Sequence, residues 1–585
     1  MLKKTDCSVE QELETTSDLN VMKTGSFQPV KSRWTRVVDS FRRNQDDETC
    51  FEEEEEEDES QVIIRDDRKI KLKQDLHTRH VIMIALSTGI GTGLLVGSAK
   101  SLVKGGPLSL LIGYAIVGTM LFPTIQSGGE LAVAYQNLSG GFNAYAARLI
   151  DESFGFSVGW NYCIQWLCVI SLELVTGSIT IKYWTTTVNP DAFVAIFYVL
   201  IVIINFCGSK GYGEAEFFFN SCKVIMLTGF ILFGIIVDCG KNPDNEYIGG
   251  RYWHDPGAFN YGFKGLCTVF VTAAFSLGQS EFVVLTCAEQ ANPRKTIPTA
   301  SKQLFWRIVV FFLGSLTLVG LLVPSNSDEL MGSGESATHA SPFVLSAKLH
   351  HVKVVPHIIN AVILLSVLSV GNSALYSASR TLQSLSEQGF APKFFNYIDR
   401  LGRPSRALAI SAFFGLFSFV AACDQEETIF NWLLAISGLS QIFTWMSICI
   451  SHIRFRAALK AQGHSTDELG YVANTGLIGS YYAVTIDILI LIAQFWVGLW
   501  PAGGDGKPNA NNFFQSYLGG CVLLVFYVCH KIYKKNWKLF LRAEDIDIVS
   551  DRTFFDADVL KMEKLEEKEQ RKTHSFWKKF CHFWC

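Results

Sequence analysis

Ser87-Thr88-Gly89-Ile90-Gly91-Thr92-Gly93 interrupts an apolar run that covers approximately residues 82 to 103. Three glycines at alternate positions each cost on the order of 1 kcal/mol in a helix interior, so the backbone is expected to unwind there. A second interruption, Phe275-Ser276-Leu277-Gly278-Gln279-Ser280-Glu281, falls five apolar segments later, in the run from about 265 to 288. Paired small-residue breaks at corresponding positions of two five-helix halves predict an inverted repeat with broken helices 1 and 6 and a site near the bilayer midplane. Amide groups and half-helix N-termini freed by such breaks attract an anion, and freed carbonyls attract a cation. A zwitterion carries both. The competing reading is close helix packing through Gly89 and Gly93, which stand four residues apart.

Outward from these breaks, runs long enough to cross a hydrocarbon core as helix number twelve. The clearest are 192–208, 217–237, 308–324, 407–423, 429–450 and 514–530; weaker ones lie at about 82–103, 107–133, 157–183, 265–288, 356–379 and 481–499. The weaker ones carry glycines, a proline or a charge, which a membrane helix tolerates against protein or a water-filled cavity. The expected fold class is an all-α integral membrane protein of 12 transmembrane helices. Three regions follow: an N-terminal tail (1–79), a twelve-helix domain (80–532) and a C-terminal tail (533–585).

The 585 residues are 49% hydrophobic and 18% charged, with a mean hydropathy of +0.23. Residues 80 to 532 hold 25 basic and 25 acidic side chains, roughly 11% against about 25% in soluble proteins. That composition excludes a soluble enzyme and a disordered regulator. A net charge of -4 and a pI near 6.3 provide no basic field for nucleic acid. Many of the fifteen cysteines, such as Cys163, Cys267 and Cys449, fall inside apolar runs, where they pack as small hydrophobes rather than as a disulfide framework. No His/Cys cluster suggests a metal, and the polar, acidic N-terminus does not read as a signal peptide.

With both termini placed in the cytoplasm, inner loops hold Arg148, Lys210, Arg294, Lys295, Lys302, Arg307, Arg380, Lys393, Arg400, Arg403, Arg406, Arg454, Arg456 and Lys460. The outer loops hold half as many basic residues, among them Lys104, Lys241, Arg251 and Lys264, which fits the positive-inside rule. The sequon Asn137-Leu138-Ser139 then lies inside. In the N-terminal tail, an acidic run covers Glu52 to Glu59, the composition of a solvated, disordered segment. Before it, Trp34, Val37, Val38 and Phe41 fall at helical spacing among Arg33, Arg36, Arg42 and Arg43, a pattern suited to an anionic inner leaflet.

Ionisable residues inside apolar runs are few, and each is a candidate site. Glu173 lies in segment three, Glu130 near the inner end of segment two, Lys223 in segment five, Glu281 just after the second break and Asp487 in segment eleven. A group held out of water is a candidate for taking up and releasing a proton. The bland readings are snorkelling for Lys223, a cap or ion pair for Glu130 and Glu281, and a structural role for Asp487.

Ordered motifs now point to a family. Arg79-His80, Gly91-Thr92-Gly93-Leu94, Gly128-Gly129-Glu130, Leu172-Glu173-Leu174, Gly211-Tyr212-Gly213-Glu214-Ala215-Glu216-Phe217, Asn292-Pro293-Arg294-Lys295, Ser451-His452-Ile453-Arg454-Phe455-Arg456 and the terminal Phe583-Trp584-Cys585 resemble the fungal amino-acid permeases of the amino acid-polyamine-organocation superfamily, in their broad-specificity and neutral-amino-acid branch. The resemblance covers approximately residues 75 to 585. It implies a leucine-transporter-like fold and proton-coupled uptake of amino acids across the plasma membrane, with a co-transported proton and no cofactor. It assigns the substrate carboxylate to Thr88, Gly89, Ile90 and Gly91, and the amine to backbone at Phe275, Ser276 and Leu277. Gln165, Trp166 and Val169 are the expected side-chain contacts from segment three. Lys223 matches the lysine that replaces a sodium ion in proton-coupled relatives, and Glu173 matches a glutamate tied to proton coupling. Ser87-Thr88-Gly89 departs from the Gly-Gly of many relatives.

In the tails, Lys3, Lys4, Lys23 and Lys31 resemble ubiquitin-acceptor sites, which implies ubiquitin-ligase machinery and membrane lipids as partners beside the amino-acid substrates. Cys585 is a candidate for palmitoylation. The alternative function is an amino-acid sensor of the same fold that transports little.

Overall fold

The computed structural model describes residues 40–42 and, with short gaps, 78–569. Thr88, Asn137, Ser139, Lys3, Lys4, Lys23, Lys31 and Cys585 lie outside the described residues.

Every long element among the described residues is a helix. The chain runs through α1 (Thr78–Ser87), α2 (Thr92–Leu95), α3 (Ser98–Gly105), α4 (Pro107–Ala134), α5 (Phe142–Leu149), α6 (Glu152–Ile181), α7 (Pro190–Phe206), α8 (Gly208–Asp238) and α9 (Gly262–Leu277). It continues through α10 (Phe282–Leu285), α11 (Pro293–Leu322), α12 (Pro342–Leu349), α13 (Val355–Glu387), α14 (Ser405–Gly415), α15 (Glu426–Ala461), α16 (Gly476–Leu499) and α17 (Ala510–Lys534). Among the described residues, nine helical stretches are long and apolar enough to cross a membrane. The stretch from Arg79 to Gly105, bent by 57° between its two parts, makes a tenth. Two shorter apolar helices, Asp191–Phe206 and Ser405–Phe419, occupy the positions where the sequence predicts the fourth and ninth spans.

Helix boundaries follow local chemistry. Gly106 takes a positive φ of 82° and Pro107 opens α4, since proline loses nothing at a first helical position. Asp151 caps α6 by accepting a hydrogen bond from the Phe154 amide at 3.1 Å, and its other oxygen takes the Lys531 ammonium at 2.8 Å. The bundle inverts the soluble pattern on its flanks: Ile196, Val199 and Ile203 of α7, Ile225 and Leu232 of α8, and Ile492 of α16 are exposed. A contiguous exposed apolar belt is what lipid covers.

The described residues 40–42 and the described stretch after α17 meet one end of the bundle. There the C-terminal segment crosses the helix ends: the Leu541 amide donates to Ile150 at 2.9 Å, the Thr553 amide to Ala134 at 2.8 Å, and Gln462 Nε2 to Ile546 at 2.8 Å. Ile546 and Ile548 are buried under it, and Arg148 pairs with Asp551 at 2.7 Å. From the N-terminal segment, Phe41 lies under the Arg403 guanidinium at 4.6 Å and beside Phe206, so this part of the expected leaflet-bound stretch is held by protein. The rest of that stretch is outside the described residues.

Several basic residues expected in inner loops lie within helices, among them Lys210 of α8, Lys302 of α11 and Arg454 and Arg456 of α15, and two of these helical residues, Arg307 and Arg380, are buried. Arg307 opens a π-helical turn inside α11 and is fully buried, and Arg380 is buried within α13. Both were placed in loops because a charge at the edge of an apolar run reads as its boundary.

Candidate functional site

The two interrupted helices meet at their breaks. In the first, the helix stops at Ser87 and resumes at Thr92, with Gly91 extended at φ -150° and ψ -155°. In the second, α9 ends at Leu277, and Gln279 adopts a left-handed φ of 63° before α10 begins. A methyl on Gly93 would stand 2.6 Å from Ser276 Cα, and one on Gly89 would stand 2.8 Å from the Gly278 carbonyl oxygen. The glycines therefore serve both readings made of them: they interrupt helix 1 and they let two backbones touch.

A narrow cavity sits against this junction. Gly89, Gly91, Thr92 and Gly93 form one wall, Phe275, Gly278 and Gln279 another, and Gln165, Trp166, Val169 and Glu173 of α6 a third. Val370 of α13 and Gln441 of α15 complete it. Gln165 Nε2 donates to the Gln441 amide oxygen at 2.7 Å, while Gln165 Oε1 and Gln441 Nε2 have no hydrogen-bond partner among the described residues. Glu173 is the sole ionisable side chain of this lining.

Glu173 is buried and accepts a hydrogen bond from the Thr92 hydroxyl on the resumed part of helix 1. Its second oxygen has no hydrogen-bond partner among the described residues. Behind it a polar network links α8 to α13: Lys223 donates to Ser369 Oγ at 2.8 Å, Ser369 to Glu216 Oε2 at 2.7 Å, and Asn372 Nδ2 to Glu216 Oε1 at 2.8 Å. Asn205 Nδ2 of α7 reaches Asn372 Oδ1 at 2.8 Å. Lys223 is fully buried, which overturns the snorkelling reading; its stem cannot reach the surface because α13 covers it.

Arg307 underpins the junction. It donates to the Ala85 carbonyl at 3.1 Å on α1 and to Ser280 Oγ in the second break. Glu281, next in the chain, accepts from Tyr162 at 3.2 Å and from Trp445 Nε1 at 3.2 Å. Both remote acids have other settings. Glu130 pairs with Arg456 at 2.7 Å and with His452 at 3.1 Å and accepts the Ala473 amide at 2.7 Å, an ion-pair and capping role. Asp487 is buried in α16 with both oxygens unpartnered among the described residues.

Of the residues singled out from the sequence, Gly89, Gly91, Gln165, Val169, Phe275 and Glu173 come together around the cavity. Ile90, Ser276 and Leu277 are buried beside it without lining it; the Ser276 hydroxyl turns away to Tyr114 at 2.7 Å. Lys223 stands behind Glu173 rather than on the cavity. Sequence reasoning missed Gln441, Val370, Glu216 and Arg307. Glu216 stands in a quoted motif two residues from Glu214, and composition alone does not separate the sealed carboxylate from its exposed neighbour.

Comparisons with known proteins agree with this geometry. The amino acid permease family matches residues 80–543. The chain is 56% identical to the general amino acid permease AGP1 of Saccharomyces cerevisiae over 519 residues, 88% of this chain and 82% of that one. It is 54% identical to that organism's high-affinity glutamine permease over 526 residues, covering 89% and 79%. It is 49% identical to the same organism's valine amino-acid permease over 555 residues, covering 94% and 91%. A broken-helix cavity inside an apolar helical bundle, and a family match over most of the length, place this chain among the amino acid permeases, multi-pass membrane transporters rather than enzymes.

Proposed function

We propose that the chain takes up several neutral L-amino acids together with protons across the plasma membrane, with both termini cytoplasmic. The twelve apolar helices then form a leucine-transporter-like bundle, the first ten as a 5+5 inverted repeat. The observation that carries the reading is the Thr92–Glu173 hydrogen bond, because it joins a buried carboxyl to the substrate-facing break of helix 1. Support for the substrate class comes from the cavity, whose described lining holds no ionisable side chain besides Glu173, the group that takes up the proton in this reading. The names of the glutamine and valine permeases point the same way.

In this mechanism the substrate carboxylate docks on backbone at Thr88 to Gly91, and its ammonium on carbonyls of Phe275, Ser276 and Leu277. Gln165, Trp166, Val169 and Gln441 meet the side chain. A proton taken up on Glu173 leaves Thr92 free to reorient, while Lys223, held by Ser369, balances Glu216. Neutralising Glu173 next to an occupied cavity removes the cost of keeping a charge in apolar surroundings as the bundle closes. The tail residues Lys3, Lys4, Lys23, Lys31 and Cys585 belong to turnover and lipidation in this reading.

The test is uptake of a panel of radiolabelled amino acids by cells lacking their own permeases, at pH 5 and pH 7, with and without a protonophore. Saturable, protonophore-sensitive uptake of several neutral amino acids is expected. A surface-localised protein with no uptake, or uptake indifferent to the proton gradient, overturns the reading.

A further inference from the structure

A second and larger cavity, about 770 Å³, lies at the end of the bundle opposite the described C-terminal segment. It is separate from the junction of the breaks, and its walls are the outer halves of both broken helices together with α15, α16 and α17. Lys100 and Lys104 of α3 reach it, as do Thr272 of α9, Gln494 of α16 and Gln515 of α17. No aspartate or glutamate lines it. Among the described residues Lys104 has no hydrogen-bond or ion-pair partner, although it is more than half shielded from solvent. Gln494 is buried, at 8% exposure, in the last two turns of α16, and among the described residues its amide also has no hydrogen-bond partner.

An ammonium and an amide without protein partners therefore line one open cavity whose described lining holds no carboxylate. The ligand that suits both donors is an oxyanion, which accepts from Lys104 Nζ and from Gln494 Nε2 in charge-assisted and neutral hydrogen bonds. The apolar side chains Val271 and Val497 on the same wall suit the non-polar part of an amphiphile. We propose that this cavity binds an oxyanion, a carboxylate or a phosphate, through Lys104 and Gln494.

The placement ties occupancy to the broken helices. Val271 and Thr272 stand one turn before Phe275, which lines the first cavity. A methyl on Gly97 of helix 1 would stand 3.2 Å from Thr272 Cγ2, so the outer halves of helices 1 and 6 are packed together at this wall. An anion bridging α3 to α16 holds that pair against the rest of the bundle.

Two sources supply such a group: a small anion from the medium, or the headgroup of an anionic phospholipid. Full-length protein in phosphatidylcholine nanodiscs is titrated with glycerol 3-phosphate and, separately, with dioctanoyl phosphatidylserine, while its thermal unfolding midpoint is followed. A saturable rise with both probes supports the site and assigns it to a free oxyanion. A rise with the phosphatidylserine alone supports the site and assigns it to a headgroup. In either case Lys104→Gln and Gln494→Leu each weaken the midpoint concentration at least fivefold, and Lys104→Arg preserves it. No saturable rise with either probe, or a rise unchanged in both Lys104→Gln and Gln494→Leu, overturns the proposal. Binding is read without transport, so this result stands apart from the proton-coupling reading.

Discussion

Glu173 concentrates the chemistry of the first cavity because it is at once buried, on the lining and bonded to the resumed half of helix 1. Glu173→Gln keeps the shape and the hydrogen bond but cannot cycle a proton. Uphill accumulation at pH 5 is expected to fall at least tenfold, about 1.4 kcal/mol per decade, with protonophore sensitivity lost and exchange of internal for external substrate retained. Accumulation at the original level would remove Glu173 from the coupling. Gly93 makes a different demand, since an added methyl meets backbone at 2.6 Å rather than a flexible side chain. Gly93→Ala is expected to lower stability by about 1–3 kcal/mol, the usual cost of overpacking, read as a lower unfolding midpoint of the purified protein along with lost uptake.

At the scale of elements, the C-terminal segment is held by charge as well as by Ile546 and Ile548. Partial burial works against ionisation of Glu468, but the Ser465 amide, His464 and Arg552 outweigh it and hold the carboxyl below its ordinary 4.5. Asp547, likewise opposed by partial burial, is held below 3.8 by Ser550 and by the Val549 amide. A carboxylate whose folded value is depressed adds stability above its unfolded value and loses it as pH falls through the folded one. The segment is therefore expected to stay docked at neutral pH and to loosen as pH drops below about 4.5, seen as faster proteolysis between residues 536 and 555. Glu468→Gln should bring that faster cleavage to pH 7; an unchanged rate would mean that the apolar contacts alone hold it. Asp487 in α16 presents the opposite case, a buried carboxyl with nothing to bond. Asp487→Asn removes no observed contact, so uptake is expected within about twofold of the original and the unfolding midpoint no lower; a large loss of uptake would give Asp487 a functional role.

For the molecule as a whole, residues 40–42 and the described C-terminal segment meet one end of the bundle and the oxyanion cavity opens toward the other. An epitope appended after Cys585 is expected to be labelled only in permeabilised cells, and labelling of intact cells would reverse the orientation. The membrane class, the apolar helices, the two breaks and the cavity-lining positions Gly89, Gly91, Gln165, Val169, Phe275 and Glu173 are legible in the chain, because lipid solvation and helix propensity act on local sequence. Lys223, Glu216, Arg307 and Gln441 are not legible in the same way. Whether a lysine snorkels or is sealed, whether an arginine ends a helix or lies within it, and which glutamine faces Gln165 depend on which distant helix covers each side chain. Periodicity says that a residue is on a face of its helix; only the packing of α13 on α8, and of the two breaks on each other, decides what that face meets.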